Sequence, residues 1–180
     1  RLAPVTTADS DGARIYRRSL VMLLITAVRE LYPGARITVE HAATSAGAFY
    51  CRVHNREPFT ARDLEVITWH MSEIVVADDP IRKLPVSVDE AVQIFEARGE
   101  SATASLLQSR TKPDLSLHEL RGHREYFQGH LVASAGVLSG AAASRLKALC
   151  WVVRSTSDWC RCQPLAITCS KGGRQTKLAW

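Results

Sequence analysis

The sequence lacks the glycine-rich loops that phosphate-binding and dinucleotide-binding enzymes use. Its 180 residues contain no G-x-x-x-x-G-K-[ST], no G-x-G-x-x-G and no G-x-S-x-G pattern. Lys171-Gly172-Gly173 has its lysine ahead of the glycines, which is the wrong order for a phosphate loop. This chain on its own therefore lacks the usual cradle for phosphoryl transfer, and we expect it to need no cofactor.

Long hydrophobic runs are also missing. The longest, Leu20 to Val28, is interrupted by Thr26 and followed by Arg29 and Glu30. A membrane span needs about 20 apolar residues, so we expect no membrane partner. Residues 1–13 hold no apolar segment, and we expect no signal peptide there.

Cysteine is present in an odd number. Five cysteines exclude a complete disulfide framework. Cys160, Cys162 and Cys169 are close in sequence, but no second pair matches them, whereas structural zinc sites show paired ligands. We expect free thiols in a reducing compartment, a cytoplasmic location and no metal site.

Charge is unevenly distributed along the chain. The net charge is +5, yet residues 141–180 carry seven basic side chains and one acid, which leaves 16 basic and 17 acidic residues before them. This change in composition predicts a boundary near residues 140–155. We divide the chain into residues 1–7, a folded domain over 8–140, and a basic, Cys- and Trp-rich tail over 141–180 that includes part of a last strand.

Hydrophobic periodicity predicts segregated helices and strands. The predicted helices are Ile15–Tyr32, one behind the Thr60/Asp63 capping pair, one opened by Ser87-x-x-Glu90 and ended by Gly99, and Ser101–Ser109. The predicted strands are Arg36–Glu40, Ala48–Val53, Leu115–Leu117, Phe127–Val132 and Leu149–Val153, the first two forming a hairpin around Thr44–Gly47. This order favours an α+β fold with an antiparallel sheet.

Histidines and basic clusters are the other chemically suggestive residues. The six histidines are His41, His54, His70, His118, His123 and His130, and none forms an H-x-x-x-H pair. Arg14 and Arg17 lie at the start of the first helix, and Arg121 and Arg124 lie near Tyr126. Both clusters are candidate nucleic-acid contacts, and ordinary solvated surface is the alternative.

Several stretches in order resemble one known family. They are Asp11–Leu20, Ala27–Pro33, Val39–His41, Phe49–Val53, Leu106–Pro113 and Tyr126–Gly136. The first two resemble the start of the second additional domain of threonyl-tRNA synthetase, and are closer still to the same domain of uridine-kinase-like bacterial nucleoside kinases. The other four stretches support the resemblance to the kinases. The resemblance covers about residues 8–138. It implies the α+β fold of that synthetase domain, and residues 1–7 resemble the end of a preceding TGS domain.

The departures from the family affect its chemistry. In the synthetase, this domain removes mischarged serine from tRNA with two histidines four apart on the first helix, then a cysteine and a histidine four apart near the end. Here the first pair corresponds to Arg18 and Met22, and the second to Phe127 and Leu131. None of these can act as a base or a thiol, so the resemblance argues against deacylase activity.

The resemblance implies an accessory role for a catalytically silent domain. We expect it to bind a nucleoside, nucleotide or RNA, or to position a kinase domain of the same protein. ATP and Mg would be needed only by that kinase domain, a transferase. The expected ligand-binding residues are Arg18, His41, Tyr50, Arg52, His130 and Ser134.

Two alternatives remain open. One is a free-standing aminoacyl-tRNA deacylase with a relocated site that uses His41, His123 and His130. The other is an RNA-binding ribosomal protein related to threonyl-tRNA synthetase, whose basic tail would contact RNA phosphates.

Overall fold

The computed structural model describes residues 6–43, 48–111 and 114–139, with the side chains of 40–43, 48–50 and 114 left out. The predicted Thr44–Gly47 turn, the Leu149–Val153 strand and the tail cysteines lie outside the described residues. None of the helices in those three ranges has the length and hydropathy to cross a membrane.

The first helix, α1 (Ser10–Leu31), forms the centre of the fold. Every residue from Ser19 to Val28 is buried, so the middle of α1 is enclosed on all sides. The helix begins five residues before the predicted Ile15, because Asp9 leads directly into it and Asp11 suits its positive end. Pro33 and Gly34, with a φ of +92°, follow its last turn.

A hairpin and a second helix pack against α1. Strands β1 (Arg36–Ala43) and β2 (Ala48–His54) pair antiparallel, which confirms the predicted hairpin. Helix α2 (Ala61–Ala77) begins with the predicted capping box, in which Thr60 and Asp63 satisfy each other's backbone N–H groups.

The ends of α1 and α2 are held together by an aromatic cluster. The Tyr32 hydroxyl donates a 2.8 Å hydrogen bond to Asp63. The Arg56 guanidinium lies 4.2 Å from the centre of the Tyr32 ring and 4.5 Å from that of Phe59. The backbone and side-chain hydrogen bonds of Thr60, together with that from Tyr32, lower the pKa of Asp63 to about 2.

The second half of the domain is a three-stranded antiparallel sheet with two short helices. Its elements are β3 (Arg82–Ser87), α3 (Val88–Ala97), α4 (Ser101–Gln108), β4 (Asp114–Leu120) and β5 (His123–Glu125), with strand order β3-β4-β5. A short 3₁₀ turn, Ala135–Leu138, packs back against α1 and α2. The fold is α+β with antiparallel sheets, as the sequence predicted.

Two hydrophobic clusters follow from this arrangement. The larger one surrounds α1 and includes Met22, Ile67 and Leu120. The smaller one joins Phe95 and Leu107 of α3 and α4 to Leu115 and Leu117 of β4. Because side chains alternate along a strand, β4 presents Leu115 and Leu117 to the smaller cluster and Leu120 to the larger one.

Two strand predictions need correction. Residues Phe127–Val132 form no strand, because Gly129 has a φ of +102° and the Val132 N–H donates to the Ser19 hydroxyl instead of to a neighbouring strand. The sequence did not predict strand β3, because Arg82, Lys83 and Pro85 leave too few apolar residues to show the alternation of apolar and polar side chains that is typical of a strand. It is an edge strand, where proline is tolerated.

Ser19 is expected to contribute measurably to stability. It is fully buried, donates to the Ile15 carbonyl at 2.8 Å and accepts from the Val132 N–H at 2.9 Å. Ser19→Ala would leave that N–H without its acceptor, at a cost of about 1–3 kcal/mol in the free energy of unfolding.

Ser72 is the matched control. It makes the same kind of helical bond, to the Thr68 carbonyl at 2.9 Å, but accepts no distant N–H. Ser72→Ala should change the free energy of unfolding by less than about 0.5 kcal/mol in urea denaturation. Equal effects of the two substitutions would show that the tie to Val132 adds nothing.

Candidate functional site

Four residues correspond, by the resemblance, to the synthetase editing residues: Arg18, Met22, Phe127 and Leu131. Arg18 and Met22 lie one turn apart on α1. Met22 has no exposed surface, and Phe127 and Leu131 pack, partly buried, against the same hydrophobic cluster. Three of the four positions therefore carry apolar side chains that belong to, or pack against, one hydrophobic cluster.

Arg18 lies against the backbone of the late segment. A side-chain carbon placed on Gly129 would come within 2.6 Å of an Nη1 atom of Arg18. The positive φ of Gly129 disfavours other residues as well. Glycine at this position therefore allows the guanidinium to approach the segment Phe127–Leu131 closely.

This arrangement provides no group for acid–base or nucleophilic work at the four positions. Methionine, phenylalanine and leucine exchange no proton, and arginine stays protonated. Within residues 6–39, 51–111 and 115–139, no three His, Cys, Asp or Glu side chains are grouped to hold a metal ion. The chemistry that the site can perform is binding by a cation next to an apolar surface.

The segment after Leu131 is fixed by its neighbours. Ser134 pairs with Pro80 in an isolated antiparallel bridge, with backbone bonds from Ile81 to Ala133 and from Ala135 to Asp79. Hydrogen bonds from the Ser134 side chain and from the Gly136 N–H lower the pKa of Asp78. Ser134, a predicted ligand-binding residue, therefore has a structural partner in Asp78.

The other predicted ligand-binding residues belong to two parts of the chain, the β1–β2 hairpin and the late segment. His41 and Tyr50 are direct partners in the β1–β2 register, although their side chains lie outside the described set. Arg52 is exposed and opposite Thr38. His130 is exposed next to Gly129. Only His130 and Ser134 share the late segment with the editing positions, and the ligand-binding role of all of them remains a prediction.

The predicted nucleic-acid residues already have partners within the chain. Arg14 pairs with Asp11 at 2.9 Å, and the Nε of Arg17 donates to the Ala13 carbonyl at 3.1 Å. Arg121 contacts Glu30 at 2.9 Å. These contacts reduce the charge available to RNA.

Arg121 and Arg124 also have second carboxylate partners. Arg121 is 3.3 Å from Asp79, and Arg124 is 3.0 Å from Glu119 and 3.6 Å from Glu90. Their role in RNA binding remains a prediction.

A buried ion cluster that the sequence did not reveal lies at the junction of the two hydrophobic clusters. Arg29 of α1 pairs with Glu125 and lies 3.0 Å from Glu100. Arg98 approaches Glu125 at 3.3 Å and donates to the Arg124 carbonyl at 2.6 Å. No local pattern signals this cluster, because Arg29 is 71 residues from Glu100.

Two histidines of the second half of the domain, His118 and His123, have lowered pKa values. Burial, and then the charges of Lys83 and His130, lower the pKa of His118, whose ring meets the Phe127 ring edge-on at 6.2 Å. Burial, then Arg29, lower the pKa of His123, with Glu30 acting in the opposite direction. Both rings therefore favour the neutral form more than a solvated histidine does.

Curated proteins similar to this chain are threonine–tRNA ligases, and no protein-family model matches it. The ligase of Paraburkholderia phytofirmans is 38% identical over 138 residues, and that of Burkholderia lata is 39% identical over the same length. The ligase of an Acidovorax species is 35% identical. Each match covers 76% of this chain and 21% of the relative.

The chain therefore spans about a fifth of the length of the curated relatives it matches. The resemblance to a domain of threonyl-tRNA synthetase is confirmed at that level. The closer resemblance to uridine-kinase-like proteins is not tested by these relatives and remains a prediction.

Glu125 should make stability depend on pH. Burial raises its pKa to about 7 from 4.5, with Arg29 opposing the shift. Between these two values the folded state holds a proton that the unfolded chain has released. The stability that this proton contributes is present below pH 4.5 and is lost as the pH rises to about 7.

The comparison is between the wild type, Glu125→Gln and Glu90→Gln, by chemical denaturation from below pH 4.5 to above pH 7. Glutamine stays neutral, so Glu125→Gln should gain stability relative to the wild type as the pH rises. Exposed Glu90 is the control, and its glutamine variant should follow the wild-type curve. A constant difference between Glu125→Gln and wild type would contradict the buried-proton account.

Proposed function

We propose that this chain is a catalytically silent, editing-like accessory domain that binds RNA or a nucleotide, and that its parent protein is a uridine-kinase-like nucleoside kinase of the cytoplasm. The observation that carries the silent role is the replacement of all four editing positions by Arg18, Met22, Phe127 and Leu131. The proposal that the parent protein is a kinase rests on the stretches of sequence that resemble uridine-kinase-like proteins. The proposal of an RNA partner rests on the similarity to threonine–tRNA ligases.

Burial supports the loss of hydrolysis. Ester hydrolysis needs a base or a metal ion to activate water. Met22 is fully buried, and Phe127 and Leu131 cover the same cluster. Water at this place would meet hydrocarbon and the Arg18 guanidinium, neither of which accepts a proton.

Basic side chains near the late segment support a binding role. Arg18 remains beside the late segment, and His130 is exposed next to it. A permanent cation on a rigid helix can hold a phosphate without any chemistry, because its attraction needs no proton transfer. A domain that has lost its hydrolytic groups can therefore still recognise RNA or a nucleotide.

We expect no release of serine when the protein is incubated with seryl-tRNA specific for threonine. The rate should equal that of the no-protein control, with and without added zinc. A threonine–tRNA ligase that carries the histidine and cysteine residues is the positive control. Serine release above background would contradict the silent role and would favour the relocated site at His41, His123 and His130.

RNA binding should depend strongly on salt. If Lys and Arg side chains contact phosphates, each contact contributes about −0.7 to the slope of log K against log salt for single-stranded RNA. Titrations of a labelled RNA at several salt concentrations measure that slope. No binding at low salt, or a flat response, would contradict an RNA partner.

The parent protein can be tested at the level of the gene. A G-x-x-x-x-G-K-[ST] pattern downstream of a predicted strand, read from the DNA beyond the codon for Trp180, would support the kinase branch. A downstream sequence with no such pattern in any frame would contradict it. The ribosome would then be the first partner to test.

A further inference from the structure

A small cleft lies between the sheet and the late segment, and Leu115 of the smaller hydrophobic cluster is among the residues that line it. Its volume is about 250 Å³. Side chains with polar or aromatic groups line it: Lys83, Arg110, Ser116, Tyr126, Phe127 and Gln128. Two cations, two neutral polar groups and two aromatic rings thus face one space, and none of the lining residues that the structure describes is acidic.

Arg110 has hydrogen-bonding capacity that the fold does not use. Its Nη1 donates to the Tyr126 hydroxyl at 2.7 Å, and the guanidinium lies 5.8 Å from the centre of that ring. The Nε atom is buried and has no hydrogen-bond partner. A guanidinium in this state gains from an anion that accepts its remaining N–H groups.

Neither cation of the cleft is neutralised within the described part of the chain. No ion pair joins Lys83 or Arg110 to a carboxylate whose side chain the structure describes. By contrast, Arg29, Arg121 and Arg124 each contact two carboxylates. The cleft cations are therefore unlike the arginines that stabilise the fold.

The surroundings add to the positive potential. Lys83 is the direct partner of His118 across β3 and β4, and its charge contributes to the lowered pKa of that histidine. The Arg18 guanidinium lies against Gly129, which also borders the cleft. Glu119, the acid of β4 whose side chain the structure describes, pairs with Arg124. An anion entering the cleft would meet cations from the sheet and from α1.

The size of the cleft limits what can enter. Pockets for whole drug-sized ligands occupy about 300–1,000 Å³. A cleft of 250 Å³ is below that range, so it suits one phosphate and the sugar attached to it. The rings of Tyr126 and Phe127 could then stack on a base that remains partly outside.

We propose that Lys83 and Arg110 form a phosphate-binding subsite that takes the phosphate of a nucleotide, either free or within single-stranded RNA. The proposal rests on the proposed function, since it names where the domain holds its ligand. Ser116 and Gln128 supply neutral hydrogen bonds, and Tyr126 positions the Arg110 guanidinium. Of the four replaced editing positions, Phe127 lines this subsite and Arg18 lies against Gly129 at its border.

The test compares the full chain with Lys83→Gln and Arg110→Gln. The probes are inorganic phosphate, adenosine 5′-monophosphate and a single-stranded RNA oligonucleotide. For whichever probe represents the ligand, each substitution should raise the Kd roughly tenfold, as expected for the loss of a charge-assisted contact. For the RNA, each should also reduce the salt slope by about 0.7, since one phosphate contact is lost.

Arg82→Gln is the matched control. Arg82 is exposed, carries the same charge and neighbours Lys83 on β3, but alternation points it to the other face of the strand. Its variant should bind as the wild type does. Arg110→Lys keeps the positive charge but loses the planar set of N–H donors of the guanidinium, so we expect an affinity between those of the wild type and Arg110→Gln. This variant keeps the test informative if Arg110→Gln folds poorly.

The outcomes separate this proposal from the proposed function. Weaker binding of the monophosphate by the two variants assigns the subsite to a free nucleotide, and an effect confined to RNA assigns it to a polymer. If Lys83→Gln and Arg110→Gln bind RNA with the same affinity and salt slope as Arg82→Gln, the subsite is wrong, but the proposal that the domain binds RNA is unaffected. A wild-type chain that binds none of the three probes would overturn both.

Discussion

The enclosure of α1 is the constraint on which the rest of the structure depends. Its residues Ser19 to Val28 are buried on every side, so a polar group that they carry loses its contact with water and gains from a partner inside the protein. Ser19 finds one in the Val132 N–H, which fixes the late segment. Directly after the buried stretch, Arg29 reaches Glu100 and Glu125, which fixes the second half of the domain.

The same enclosure explains the chemistry of the editing positions. Met22 extends the apolar surface of α1, and Phe127 and Leu131 continue that surface from the late segment. These three positions therefore place hydrocarbon in the hydrophobic core or against it, and none of them carries a group that exchanges protons. Burial of these side chains stabilises the fold, because each contributes apolar area that is removed from water. The remaining polar capacity lies at the edge, at Lys83 and Arg110.

Arginines in this domain have two different roles that composition cannot distinguish. Arg121 and Arg124 look like an RNA-binding patch in the sequence, yet each contacts two carboxylates from other elements. Arg110 attracts no attention in the sequence, yet its guanidinium is bound to a phenol and keeps a buried N–H without a partner. Which arginine can bind an anion depends on where the acids lie in three dimensions.

The sequence by itself determined the elements whose signals are local. The hairpin, the Thr60/Asp63 capping box and the apolar repeat of α1 follow from residues a few positions apart, and the α+β class follows from their order. The replaced editing residues could also be read from the resemblance.

Tertiary structure decided what depends on distant partners. It made Phe127–Val132 irregular by giving the Val132 N–H to Ser19, and it placed the unpaired Arg110 beside Lys83. Interactions between residues far apart in the chain leave no periodic signal, so only the folded chain reveals them.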